Sequence, residues 1–148
     1  MTAEIKKILI VDDSPNDVEL TINTLTKNNL ANTIDVAEDG EEALDYLYKR
    51  GKFSGRDNGN PTIILLDIKM PKMDGIEALK HIRSNPEFKL IPVIMLTSSG
   101  EHRDLIESYK LGANAYVVKP VDITQFMEAI KILGQFWAVI NQPPPVII

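Results

Sequence analysis

The chain contains no cysteine. Disulfides and thiolate metal centres are therefore excluded, and the composition suits a reducing cytoplasm. No apolar run approaches the ~18–20 residues needed to cross a bilayer. Lys and Arg form no cluster, and the formal net charge is −5 over 148 residues. An acidic chain of this kind is a poor direct ligand for nucleic acid, whose phosphates call for a basic surface. Met1-Thr2-Ala3-Glu4-Ile5-Lys6-Lys7 leads straight into the first apolar run, so no signal peptide is expected. With 44% hydrophobic and 25% charged residues, the composition is that of an ordinary globular protein. One domain over residues 1–148 is expected, with no room for a second output or catalytic domain.

What is present is a set of short β-branched runs, each ending in a polar residue. Asp12 and Asp13 follow Ile8-Leu9-Ile10-Val11, and Asp67 follows Ile63-Ile64-Leu65-Leu66. Thr97 follows Val93-Ile94-Met95-Leu96, and Lys119-Pro120 follows Tyr116-Val117-Val118. Runs of this kind read as strands buried on both faces of a parallel sheet. Residues 33–37 supply the second, shorter strand of five. Between them lie helical stretches. Ser14 and Pro15 open the first, with Val18, Ile22 and Leu25 on one stripe. Asp39-Gly40 opens the second, and the third follows the turn Met70-Pro71-Lys72-Met73-Asp74-Gly75. A fourth covers residues 101–111. Asp122 or Thr124 caps the last, which is expected to run to about Ile140, before Pro143-Pro144-Pro145. Residues 51–61, rich in Gly, Asn and charge, read as a loop. Five βα units in order predict an α/β fold. The expected form is a flavodoxin-like, doubly wound five-stranded parallel sheet with strand order 2-1-3-4-5.

In such sheets ligands bind beyond the carboxyl ends of the strands. The sequence thus gathers three carboxylates, a hydroxyl and an ammonium at one edge. Clustered carboxylates repel, and a divalent cation relieves the repulsion. Mg²⁺ suits a site of one or two carboxylates plus phosphate oxygens, which makes Asp12 and Asp13 its candidate ligands. Asp67 is the candidate nucleophile, since a carboxylate can attack phosphorus to give an acyl phosphate. Lys119 would neutralise phosphoryl charge, and the Thr97 hydroxyl would donate to a phosphoryl oxygen. Taken singly, each has a plainer reading. Asp12-Asp13 suits a solvated acidic turn, Asp67 a loop or capping carboxylate, Thr97 a turn residue, and Tyr116 simple packing, where beside Thr97 and Lys119 it could instead take an inward or outward rotamer. The isomer of the Lys119-Pro120 bond is open on sequence alone.

Together these features resemble the receiver domain of two-component response regulators. The resemblance is carried by ILIVDDS, LLDIKMPKMDG, the Thr97-Ser98 strand end, Gly112-Ala113, Tyr116 and Lys119-Pro120. It covers the chain from about Lys7 to Ile132. It implies that Asp67 is the phosphoacceptor for a sensor histidine kinase. It also implies that Asp12 and Asp13, with the Lys69 backbone carbonyl, hold Mg²⁺. Lys119 would pair with the phosphoryl group, Thr97 and Tyr116 would form a coupled switch, and a structural cis peptide would precede Pro120. The resemblance further implies a phosphoacceptor that catalyses its own phosphorylation and dephosphorylation, not a turnover enzyme.

Four features depart from the shortest family members. Residues 51–61 form a long loop. Ser98 follows the switch residue where a smaller one is common, and would alter access to the site. Lys69 puts a flexible cation two residues beyond Asp67, and an extension covers about residues 134–148. The long loop and the Phe136-Trp137 tail resemble the small stand-alone regulators that serve bacterial phytochrome-type kinases. On the last helix, Phe126, Ile130, Leu133 and Trp137 form one stripe, which Ile132, Phe136 and Val139 widen. A helix apolar over most of its girth is expected to be buried by more than its own core, here in a homodimer or partner surface. The plainer alternative is a tail folded back on its own domain.

Two other functional classes compete with the switch. A phosphatase resembling haloacid dehalogenases would carry its nucleophile in an Asp-x-Asp pattern on the first strand and would need a cap domain. A phosphorylation-independent adaptor with a receiver fold would usually have lost an acid or the lysine, and all are present. His81 and His102 lack a matching ligand set and read as surface residues.

Overall fold

The apolar runs become a parallel sheet in the computed structural model, which describes residues 5–56, 59–98 and 102–132. Strands β1 (Ile5–Val11), β2 (Ala31–Ala37), β3 (Ile63–Asp67), β4 (Val93–Thr97) and β5 (Ala115–Val118) alternate with five helices. The helices are α1 (Pro15–Lys27), α2 (Gly40–Tyr48), α3 (Gly75–Ser84), α4 (His102–Lys110) and α5 (Ile123–Ile132). The strand order is β2-β1-β3-β4-β5 and all pairings are parallel, as the βα alternation predicts.

Successive strand residues point to opposite faces, and the sheet therefore builds two cores. Leu9, Val11, Ile64, Leu66, Val93 and Met95 face one side with Leu44, Leu47, Leu79 and Ile82 of α2 and α3. Ile8, Ile10, Ile63, Leu65, Ile94 and Leu96 face the other with Leu25 of α1 and Phe126, Ala129 and Ile130 of α5. Each such Val, Leu, Ile, Met or Phe side chain contributes roughly 1.5–3 kcal/mol when fully buried. The central strands β3 and β4 are buried at every position, as their unbroken apolar runs require.

Three expectations change in detail. β1 and β2 begin two or three residues earlier than their apolar runs, because backbone pairing (Ile5 with Ala31, Lys7 with Thr33) extends the ladder beyond the hydrophobic stretch. Asp122, not Thr124, caps α5, its carboxylate accepting the Gln125 N–H at 2.8 Å. The loop after α2 contains a 3₁₀ turn at Gly51–Phe53 and is anchored on Tyr46. Phe53 meets the Tyr46 ring edge-on at 5.2 Å. The Arg56 guanidinium stacks 4.0 Å above that ring and donates to the Tyr46 carbonyl at 2.9 Å. A sequence of Gly and charge hides such an anchor, because it rests on individual contacts of Phe53 and Arg56 with Tyr46 and not on a pattern.

Phe126 and Ile130, placed at sequence level on an over-wide apolar stripe, are core residues of the second layer. Glu128 and Lys131 of the same helix are exposed. Leu133, Phe136, Trp137, Val139 and the extension over 134–148 lie outside the described residues. Among the described residues, no helix is long and apolar enough to cross a membrane.

Candidate functional site: an acidic pocket at the sheet edge

β1 ends by handing Asp12 into the pocket. The Asp12 N–H still donates to the Ala37 carbonyl at 3.0 Å, continuing the ladder by one residue. The residue is 2% exposed, and its Oδ1 accepts the Ser14 N–H at 3.0 Å. Asp13, one residue on, is exposed. Asp67 closes β3 and is 5% exposed. The start of α3 packs directly on that strand end, with the Gly75 N–H donating to the Ile68 carbonyl at 2.9 Å. A Cβ at position 75 would collide with the Asp67 carbonyl oxygen, so only glycine lets the helix approach this closely. Carboxylate oxygens of Asp12, Asp13 and Asp67 lie within 4.8 Å of one another.

Lys119 follows the carboxyl end of β5, at the same edge of the sheet. Its N–H donates to the Thr97 carbonyl at 2.9 Å, and the Lys119-Pro120 peptide is cis. Gln125 accepts the Val118 N–H at 2.9 Å, which ties the end of β5 to α5. The ammonium lies 3.1 Å from Asp67 Oδ2 and 3.2 Å from Asp12 Oδ2. A third carboxylate is closer: Asp17 Oδ2 stands 2.9 Å away. Burial alone would lower the lysine's pKa, but hydrogen bonds to Asp17 and Asp67 and the nearby acids hold it above the ordinary range. Asp67 moves the other way from a typical paired acid. Burial pushes its pKa up to about 6, the Asp12 charge adds to this, and the bond from Lys119 only partly offsets it. The folded protein thus holds Asp67 as a reluctant anion.

Asp17 was not among the sequence candidates. A signal for it existed, because Ser14-Pro15-Asn16-Asp17 has the Ser-x-x-acid form that marks a helix start. In the structure the Asp17 N–H donates to Ser14 Oγ at 3.3 Å, which sets the acid in the first turn of α1 above the strand end.

The remaining predicted residues are less convergent. Thr97 is buried, and its hydroxyl donates to the Ser98 carbonyl at 3.1 Å. Ser98 itself is exposed. The Tyr116 ring is turned outward, 41% exposed, and meets Tyr109 of α4 edge-on at 6.0 Å. Lys69 extends to the surface, where its ammonium pairs with Asp104 of α4 at 2.9 Å. His81 is exposed, as expected. A cleft of about 330 Å³ opens beside the acids between α1 and β2, lined by Asp12, Asp13, Val18, Ile22, Val36 and Glu38.

The donor set fits a hard divalent cation. All three acids offer oxygen, and Asp12 Oδ2 is buried with no hydrogen-bond partner, 3.2 Å from the Lys119 ammonium. The family described as response regulator receiver domain matches residues 8–131 of the chain. The chain belongs to this family.

Receiver relatives match over most of their own length. Response regulator Rcp1 of Synechocystis sp. (strain ATCC 27184 / PCC 6803 / Kazusa) is 34% identical over 132 residues, covering 89% of this chain and 88% of that protein. The solved bacteriophytochrome response regulator RtBRR is 52% identical with a TM-score of 0.81, covering 95% of this chain and 85% of that one. The Mn(2+)-bound form of Rcp1 is 31% identical with a TM-score of 0.70, covering 97% of this chain and 99% of that one. The protein is thus a receiver-domain response regulator similar to phytochrome response regulators, and phosphorylation by a kinase is the family's function. Receivers are not turnover enzymes, and their acidic pocket, here Asp12, Asp13 and Asp67, binds a divalent cation.

Proposed function

We propose that Asp67 accepts a phosphoryl group from a phosphohistidine of a sensor histidine kinase, and that the receiver catalyses this transfer and its later hydrolysis. The observation that carries the reading is the convergence of Asp12, Asp67 and Lys119 within 3.2 Å contacts at one sheet edge. An Asp67 carboxylate oxygen attacks phosphorus, the new O–P bond forms as the P–N bond breaks, and the electron pair returns to the imidazole. Asp12, Asp13, Asp67 and the Lys69 backbone carbonyl would hold Mg²⁺, which would neutralise phosphoryl charge and relieve the carboxylate repulsion. Lys119 redirects one of its three donors to the phosphoryl oxygens. Thr97 releases the Ser98 carbonyl and donates to the same group, and Tyr116 follows by turning inward from its contact with Tyr109. The exposed Ser98 stands at the rim and limits access, and Pro120 fixes the Lys119 loop. This is a two-state element biased by added charge.

The likeness to RtBRR, a bacteriophytochrome response regulator, favours a phytochrome-type kinase as the phosphodonor. Residues 1–148 act as one cytoplasmic receiver that binds neither nucleic acid nor membrane, and the apolar pattern of residues 133–139 favours a homodimer built by the last helix and tail. Incubation with Mg²⁺ and a small phosphodonor, read by intact mass and solution size together, tests this reading. One equivalent of phosphoryl group is expected on the parent and none on Asp67→Asn. Labelling retained by Asp67→Asn would point to another acceptor, and a monomeric mass with and without phosphorylation would defeat the homodimer.

A further inference from the structure

Lys119 stands among three carboxylates, and the nearest belongs to neither the metal pocket nor a loop. Asp17 Oδ2 lies 2.9 Å from the ammonium, against 3.1 Å for Asp67 and 3.2 Å for Asp12. The lysine side chain is 15% exposed and that of Asp17 33%, so the pair is shielded better than an ordinary surface ion pair. Asp17 is also fixed in place. Its N–H is bonded to Ser14 Oγ at 3.3 Å, and its carbonyl accepts the Thr21 hydroxyl at 2.9 Å. The start of α1 thus sets where this carboxylate stands.

We propose that Asp17 is a positioning residue that holds the Lys119 ammonium on the α1 side of the pocket and competes with a phosphoryl group for it. The proposal rests on the reading of Asp67 as phosphoacceptor. Phosphorylation of Asp67 replaces one anion facing Lys119 with a phosphoryl group of higher charge, and Lys119 serves it as a compact point charge. Asp12 and Asp67 belong to the acid cluster that binds a cation, whereas Asp17 does not. Its charge therefore stays available to Lys119 in both states. A carboxylate that keeps hold of the ammonium favours the unphosphorylated arrangement, and removing its charge leaves Lys119 free for the phosphoryl group.

The test is calorimetric titration of the Mg²⁺-loaded protein with beryllofluoride, a phosphoryl mimic, for the parent and three variants. Asp17→Asn, which keeps side-chain size, is expected to bind about fivefold more tightly, the upper range for a partly exposed ion pair. Asp17→Glu is expected to restore the parental affinity within about twofold. Glu19→Gln, which removes an exposed acid from the same helix, is expected to match the parent. Unchanged or weaker binding by Asp17→Asn overturns the proposal. So does an equal gain in Glu19→Gln, which would mark a general charge effect, or a gain in Asp17→Glu. If the parent itself takes no beryllofluoride, the Asp67 reading fails first and this proposal falls with it.

Discussion

Replacing Asp67 with Asn is expected to stabilise the metal-free protein at neutral pH, although it removes an ion pair. Asp67 is 5% exposed, and its pKa in the folded protein is about 6 against an ordinary 3.8, with burial as the main cause and the Asp12 charge adding to it. The Lys119 hydrogen bond is already included in that balance and does not reverse it. A proton is therefore bound more tightly in the folded than in the unfolded state. Ionised Asp67 opposes folding in full above pH about 6, by on the order of 3 kcal/mol at about 1.4 kcal/mol per tenfold change. That cost fades as pH falls from about 6 towards 3.8 and is absent below it. Urea unfolding in EDTA should place the Asp67→Asn midpoint about 1 M or more above the parent at pH 7.5, given slopes of roughly 1–3 kcal/mol/M. Well below pH 3.8 the two midpoints should nearly coincide. Adding Mg²⁺ at pH 7.5 should raise the parent by mass action and close the gap. A less stable Asp67→Asn at pH 7.5, or a gap that does not narrow on acidification, would refute the reasoning.

Gly75→Ala is expected to destabilise by about 3 kcal/mol or more, because the clash is with the Asp67 backbone carbonyl and neither chain can give cheaply; urea midpoints measure it. Beryllofluoride with Mg²⁺ is expected to shift the Tyr116 and Tyr109 ring signals in NMR spectra as their edge-on contact is lost, while unchanged signals would leave Tyr116 outside the switch.

Most of the fold was legible because buried parallel strands announce themselves. Ile63 to Leu66 and Val93 to Leu96 are unbroken apolar runs, and their polar last residues fall at the sheet edge for a topological reason. Asp12, Asp67 and Lys119 could thus be brought together without coordinates. The Tyr116 orientation could not, since either rotamer suits an edge-strand tyrosine and its outward contact depends on Tyr109 of α4, a residue that belongs to no motif. Asp17 was hidden for a different reason. Its helix-start pattern explains it fully as a local cap, and only the three-dimensional path of β5 brings Lys119 to it. Phe126 and Ile130 show the limit of helical stripes. The periodicity marked them as apolar, but a wide stripe does not say which part faces its own sheet.

The central claim is that the phosphoryl group sits on Asp67. Phosphorylating the protein with Mg²⁺ and a small phosphodonor, reducing the acyl phosphate with borohydride and mapping the peptides reads this directly. Homoserine at position 67 is the predicted result. Homoserine at another acid, or none in a protein whose intact mass shows phosphorylation, would contradict it.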